Sequence, residues 1–310
     1  MASMKALLSW LSICDASVVE RLRELFAFTC TRSPSLFMSF LMNERLNRFD
    51  DFMCFDRNRV VLTDGGQRYI HANQVPIAAH YVLTQAPLAH TIVDFWRMVL
   101  QFKANVVVAL EEPKSEAEQF CASDGGEVKV ASSVSIRGKS NAEHSTDKWT
   151  TVDEHVCVQN APPVSVRYVL FKEWVDDRAL PPVNDMLDFV RELKAQADET
   201  HSMVYGEKLA KLKKHPPLVA VCPTGAIRCG LLAAVDSVVR IVDTKATDLS
   251  MTAIVKTLRD SRYGTMATFE QYVYVHSALA EAARQKAIPR ADGAARRLKH
   301  VLDKLQKQAK

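Results

Sequence analysis

The stretch 217-PLVAVCPTGAIRCGLLAAVDSVVRIVD-243 decides how this chain is read. A short apolar run, Pro217–Val221, ends in Cys222. Its length and β-branched content predict a buried strand. From Gly230 to Asp243 the residues Leu231, Leu232, Val235, Val238, Val239 and Val242 fall on one face of a helix. Cys222 then stands where the strand ends and Arg228 where the helix begins. The loop between them would aim successive backbone N–H groups, and a helix N-terminus, at a common centre, which is an anion site. A sulfur placed there is pushed toward thiolate, the nucleophilic form. The planar fork of Arg228 can hold two oxygens of a phosphate, which a lysine cannot. Taken alone, the same residues also fit a buried structural cysteine followed by a surface arginine.

Working outward, residues 1–45 have helical spacing, with Val18 to Phe28 as one helix and a second restarting after Ser33-Pro34. The segments "RVVL", "RYIHA" and "HYVLT" between 59 and 84 read as strands separated by Gly65-Gly66 and Pro76. "LAHTIVDFWRMVLQFKA" is a helix with Ile92, Phe95, Trp96 and Val99 on one side, and "NVVVAL" (105–110) a buried strand. Residues 111–165 hold several short β-like segments and a polar hairpin tip, "GKSNAEHSTDKW". "VSVRYVLFKEW" is another strand, and "PPVNDMLDFVRELKAQAD" a helix with prolines at its start. "SMTAIVKTLRD" and "TFEQYVYVHSALAEAARQKA" add two helices. Strands at 105–110 and 217–221, each adjoining a long helix, argue for an α/β sheet flanked by helices.

Of the 310 residues, 48% are hydrophobic and 25% charged, so a sizeable core forms and wholesale disorder is excluded. A net charge of +4 does not by itself call for a nucleic-acid partner, and none is expected. Seven scattered cysteines, an odd number without metal-ligand spacing to histidines, fit a reduced, cytoplasmic setting and no metal. In the opening "MASMKALLSWLSIC", Ser9 and Ser12 interrupt the apolar run, so an ordinary helix fits better than a cleaved signal. After Pro289 the tail turns basic while Leu298, Val301, Leu302 and Leu305 keep helical spacing. A terminal helix packed by one face is expected there, with an acidic partner or membrane surface as the other reading. The expected division is 1–42 as N-terminal helices, 43–286 as the main domain and 287–310 as a basic amphipathic tail. A monomer is the default.

From Asn43 to Leu279 the chain resembles the protein-tyrosine-phosphatase domain. "NRFDDFMCFDRNRVVL" is similar to that family's phosphotyrosine-recognition loop, and "RYIHANQV" to its D-Y-I-N-A segment. "YVLTQAPLAHTIVDFWRMV" closely matches Y-I-A-T-Q-G-P-L-x-x-T-x-x-D-F-W-x-M. "FKEWVDD" falls at the W-P-D loop, and "RYGTMATFEQYVYVHSAL" at R-x-x-M-V-Q-T-x-x-Q-Y. The resemblance implies a central, highly twisted mixed sheet flanked by helices, the cysteine-phosphatase fold. It implies that Cys222 is the nucleophile, that Arg228 clamps the phosphoryl group and that Asp176 is the general acid. Phe49 would wall the phosphotyrosine ring, and Asp50 or Asp51 would hold the substrate backbone. Thr224, Gly225, Ala226 and Ile227 would line the phosphate, with Gln271 also on the substrate side. The ligand would be a phosphotyrosine protein or peptide. No cofactor or metal is implied, because the cradle and Arg228 carry the transferring charge.

Five departures from the family's H-C-S-A-G-x-G-R-[ST]-G loop and its surroundings stand out. Val221 replaces a histidine that depresses the thiol pKa, so Cys222 is expected to be mostly protonated near neutrality. Pro223 lacks an N–H. Ile227 replaces a glycine, which is costly if φ there is positive. Cys229 replaces a hydroxyl that assists the leaving thiolate, and Ala267 a glutamine that positions water. Further off, Val175 stands for the W-P-D proline, Asp177 rivals Asp176 as the acid, and "ASDGG" stands in place of Y-W-P after Cys121. Two functions remain open: a pseudophosphatase that binds phosphotyrosine or a signalling partner with little turnover, and a working phosphatase. The clustering of losses within one loop favours the first.

Overall fold

The structure is a computed structural model that describes residues 7, 10–11, 17–30, 35–63, 66–77, 80–113, 115–122, 125–131, 134–158, 162–174, 180–211, 213–244 and 250–308. Its frame is a nine-stranded sheet in the order β1-β2-β3-β9-β4-β8-β7-β6-β5. The strands are β1 (Arg59–Val61), β2 (Tyr69–Val75), β3 (Tyr81–Gln85), β4 (Val106–Ala109), β5 (Glu127–Ala131), β6 (Val134–Ser140), β7 (Trp149–Val158), β8 (Val164–Phe171) and β9 (Leu218–Cys222). The middle four, β3, β9, β4 and β8, run parallel, and antiparallel strands extend the sheet on both sides.

Sequence pattern explains the middle. Parallel strands are covered on both faces and so need continuous apolar runs rather than alternation. "VVVA" of β4 and "LVAVC" of β9 supply them, and every residue of both is buried. On one face α3 (Ile92–Gln101) packs Phe95, Trp96 and Val99 against Phe120 and Tyr168. On the other lies α5 (Ile227–Thr244), an all-round buried helix, with α4 (Val183–Ala210), α6 (Met251–Ser261) and α7 (Phe269–Gln285) around it.

The polar stretch near 141–148 is the β6–β7 hairpin tip, as its composition predicts. Two expectations change. The helix restarted after Ser33-Pro34 is only the single turn α2 (Met38–Leu41), beyond α1 (Val18–Thr29). The helix beginning at Val183 does not stop near Asp198 but runs on to Ala210, with a break at Gly206 (φ 72°, ψ 150°). The basic tail forms α8 (Ala291–Gln308), which buries Ala294, Leu298 and Leu302 in the core shared with α7 and turns Arg296, Arg297, Lys299 and Lys304 to solvent. No helix among the described residues is long and apolar enough to cross a membrane.

Candidate active site

Cys222 closes β9 at the carboxyl end of the sheet, where β3 and β4 end beside it. Both neighbours pin the strand end: Ala86 N–H donates to Cys222 O at 2.8 Å and Leu110 N–H to Val221 O at 3.0 Å. Parallel strands that part at their carboxyl ends leave a crevice there, and this loop fills it. Gly225 makes the turn possible. It has φ +64°, and a Cβ on it would lie 2.3 Å from both Gln85 N and Thr84 C, so neither chirality nor space admits a side chain.

Arg262 holds the loop's shape from beneath. It is fully buried. Its Nε donates to Gly225 O at 3.0 Å and its Nη2 to Thr224 O at 3.0 Å. Nη1 donates to Asn73 Oδ1 at 2.8 Å, and Nη2 lies 2.8 Å from His71 Nδ1. That contact makes Nδ1 the acceptor, so Nε2 carries the proton and donates to Phe52 O at 2.7 Å. Burial, and then the charge of Arg262, hold His71 neutral with its pKa well below the usual value. The Thr224 and Gly225 carbonyls are thereby drawn toward Arg262, which fixes the peptides that carry the Gly225 and Ala226 N–H groups.

The Ala226 and Ile227 N–H groups do meet at a centre, and one of the chain's own atoms occupies it. Ala226 N–H and Ile227 N–H both donate to Thr224 Oγ1, at 3.2 Å each. Thr224 Oγ1 lies 3.8 Å from Cys222 Sγ. Gly225 N–H is turned back on Cys222 O at 3.0 Å, and Pro223 has none to give. Ile227 is absent from the described residues with positive φ and opens α5, so the cost foreseen for a β-branched residue there does not arise. Gly225 takes the left-handed position instead.

The thiol chemistry also differs from expectation. Burial raises the pKa of Cys222, but hydrogen bonds from the Cys229 thiol, the Cys229 N–H, the Thr224 hydroxyl and the Ala226 N–H outweigh it and bring the value down to about 6. Cys222 is therefore mostly thiolate near neutrality, although Val221 supplies no imidazole. Burial and the hydrogen bond it gives to Cys222 push the Cys229 thiol well above the usual range.

Arg228 is buried at the start of α5. Its Nη1 donates to Leu110 O at 2.7 Å and Trp174 O at 3.3 Å, and sits 3.4 Å from Glu111 Oε2. Next to Cys222 a hollow of about 20 Å³, room for about one water, is lined by Arg48, Glu111, Glu112, Glu118, Val221 and Pro223 among others. Arg48 is paired there with Glu118 at 3.0 Å. It also donates to Ala86 O and Pro87 O, while its N–H is taken by Gln85 Oε1 at 2.9 Å. These bonds fix the Asn43–Asp51 segment to the end of β3.

At the end of that segment Phe49 is exposed and stacks edge-on with Phe52, with centroids 6.0 Å apart. Phe52 lies over Gly264, where a Cβ would approach its ring to 2.7 Å and Ala226 Cβ to 3.5 Å, so the aromatic pair adjoins the loop. Asp50 and Asp51 are exposed on the same rim. Gln271 is buried, and its side chain closes the cap of α7: Thr268 N–H donates to its Oε1 at 3.4 Å. Ala267 is exposed. Asp176 and Asp177 lie outside the described residues; the segment before them ends at buried Trp174. Sequence reasoning gave no site role to Arg262, although "RYGTM" contains it, and did not weigh Thr224 as a change from the family's alanine.

A buried cysteine at a strand end, an arginine at the start of the following helix and an aromatic pair beside the loop are the arrangement that a cysteine-dependent phosphatase site calls for. Residues 43–281 match the protein-tyrosine phosphatase family model, and the chain belongs to that family. Tyrosine phosphatase H2 of Microplitis demolitor bracovirus (isolate Webb) is 28% identical over 248 residues, covering 76% of this chain and 74% of that protein. Human tyrosine-protein phosphatase non-receptor type 14 is 25% identical over 252 residues, 76% of this chain but 21% of that longer protein. The catalytic domain of human protein tyrosine phosphatase non-receptor type 18 superposes with a TM-score of 0.69 at 23% identity, covering 90% of this chain and 98% of that one. A structure of PTPN18 with HER2 phosphopeptides superposes with a TM-score of 0.67 at 22% identity, covering 90% and 91%. At these identities the structural likeness is one of fold.

Proposed function

We propose that this protein binds phosphotyrosine through the altered loop and turns it over little or not at all. One observation carries the reading: the Ala226 and Ile227 N–H groups are given to Thr224 Oγ1 and the Gly225 N–H to Cys222 O, while Pro223 contributes none. Transition-state stabilisation by pre-aimed donors is the largest part of such catalysis, and each donor lost costs about two to three powers of ten in rate. Ala267 offers no polar side chain to orient a water. The groups that would hold a ligand remain. Arg228 clamps two phosphate oxygens, Phe49 walls the ring, and Asp50 or Asp51 receives the peptide backbone. PTPN18, solved with HER2 phosphopeptides, supplies the analogy for the ligand class. A cytoplasmic setting belongs to the same proposal, since Cys222 must stay reduced.

The thiolate character of Cys222 supports a second reading, an active phosphatase. Cys222 Sγ would attack phosphorus, the tyrosine oxygen would leave with a proton from Asp176 or Asp177, and water would then cleave the S–P bond. Turnover of an aryl phosphate by wild type and Cys222→Ser separates the two. Equal rates support the binding protein, and a wild-type rate well above the serine variant supports the enzyme. The binding proposal also requires phosphotyrosine-peptide affinity that Arg228→Ala abolishes. A wild type with no such affinity sinks it.

A further inference from the structure

We propose that Thr224 is a built-in competitor for phosphate, its hydroxyl standing where a phosphate oxygen would accept the Ala226 and Ile227 N–H groups. This deepens the phosphotyrosine-binding proposal and rests on its placing of the phosphate at residues 222–228. The geometry has three parts. Thr224 Oγ1 takes both N–H groups at 3.2 Å and stands 3.8 Å from Cys222 Sγ, the atom an incoming phosphorus would face. The hydroxyl is buried with the loop, so bulk water does not share those donors. Arg262 fixes the Gly225 carbonyl, and Gly230 N–H donates to Ala226 O at 2.7 Å, so the peptides that carry the Ala226 and Ile227 N–H groups are each held from the carbonyl side.

The family pattern has alanine at this position, with no oxygen to place there. In this chain a phosphate enters only when the hydroxyl rotates off its two donors. That is possible, because N–H bonds to an anion are stronger than those to a neutral hydroxyl. The penalty is the loss of a helix-capping contact, equivalent to about tenfold in affinity. Thr224 is thus a specificity-determining residue. It selects for ligands that bring enough contact elsewhere, on Phe49 and the exposed rim, and against free small oxyanions.

The test is calorimetric titration of the full chain with sodium tungstate, a phosphate-shaped oxyanion. Thr224→Ala is expected to bind about tenfold tighter than wild type, and Thr224→Ser, which keeps the hydroxyl, to bind as wild type does. Thr224→Gly serves if the alanine variant unfolds, because glycine caps a helix nearly as well as threonine, and the same tightening is expected. The proposal is overturned if the variants lacking the hydroxyl bind tungstate no tighter than wild type or not measurably, or if serine behaves as alanine does. Weaker binding by Thr224→Ala would show that the hydroxyl is a ligand rather than a competitor. A wild type blind to phosphotyrosine peptides, beside a tightened Thr224→Ala, would sink the functional proposal and leave this one standing.

Discussion

Replacing Cys229 by alanine is expected to raise the pKa of Cys222 and move its reactivity to higher pH. The thiol of Cys222 stands at about 6 against an ordinary value of 9.0. That difference is worth about 4 kcal/mol in favour of the thiolate. It is gained against burial, by donors that include the Cys229 thiol and the Cys229 N–H. Alanine keeps the N–H and deletes the thiol. A hydrogen bond to a charged acceptor contributes about 1.5–3 kcal/mol, so the midpoint should rise by roughly one pH unit or more. The sign follows from the reactive form: only thiolate alkylates, so the rate climbs with pH through the pKa and levels above it. The assay is the pH dependence of iodoacetamide alkylation at Cys222, followed by mass spectrometry of the peptide that contains it. Limited access to a buried sulfur scales all rates alike and leaves the midpoint unmoved. Wild type should show a midpoint near 6, and Cys229→Ala a higher one. A wild-type midpoint near 9, or coincident profiles in the two proteins, would refute the account of thiolate stabilisation.

Gly225→Ala should destabilise the fold by about 3 kcal/mol or more and abolish phosphopeptide binding, because a Cβ at φ +64° would sit 2.3 Å from the β3 backbone; urea denaturation measures the first effect. Arg262→Leu leaves two loop carbonyls, His71 and Asn73 without their common donor, and should cost about 3–5 kcal/mol in the same assay, with no rescue by lysine because its point charge cannot span four acceptors. Glu154 is buried and accepts the Ala122 N–H at 2.8 Å, and burial raises its pKa from 4.5 to about 7. Its folded pKa lies above its unfolded one, so its contribution is present below about pH 4.5 and lost as pH rises through about 7. Glu154→Gln should therefore gain on wild type by about 3 kcal/mol across that window, and parallel stability–pH curves would refute it.

Much of the frame was legible because burial on both faces leaves a plain mark. The runs "NVVVAL" and "PLVAVC" have no room for polar alternation, and the apolar face of Gly230–Asp243 admits no reading but a helix. Cys222 and Arg228 were legible for the same reason: strand end and helix start are fixed by pattern, and what stands between them must be loop. The thiolate was not. Its stabilisers, the Cys229 thiol, the Thr224 hydroxyl and two backbone N–H groups, act through distance and direction, which residue identity alone does not carry. The missing histidine therefore suggested a protonated Cys222, and geometry reversed the conclusion. Arg262 was hidden because it has neutral partners, drawn from His71, Asn73 and backbone carbonyls far apart in sequence, with no carboxylate among them to mark it. The penalty at Ile227 was conditional on a positive φ there, and Gly225 takes that conformation instead.

The groups that shape this loop are separate from the groups that would do its chemistry. Gly225, Arg262 and the strand-end bonds at Ala86 and Leu110 hold the turn and orient its peptides. None of the five departures falls on them. Changes at 221, 223, 227, 229 and 267 therefore leave the turn built while altering what it offers: one donor absent at Pro223, a thiol in place of a hydroxyl, a bare alanine where water would be positioned. A loop whose shape depended on its ligand would relax once selection for turnover ended. This one is held by Arg262 whether or not phosphate is bound, with its spare donors satisfied by Thr224. Such an arrangement can lose turnover and keep a phosphate-shaped surface, and that separation supports the binding proposal.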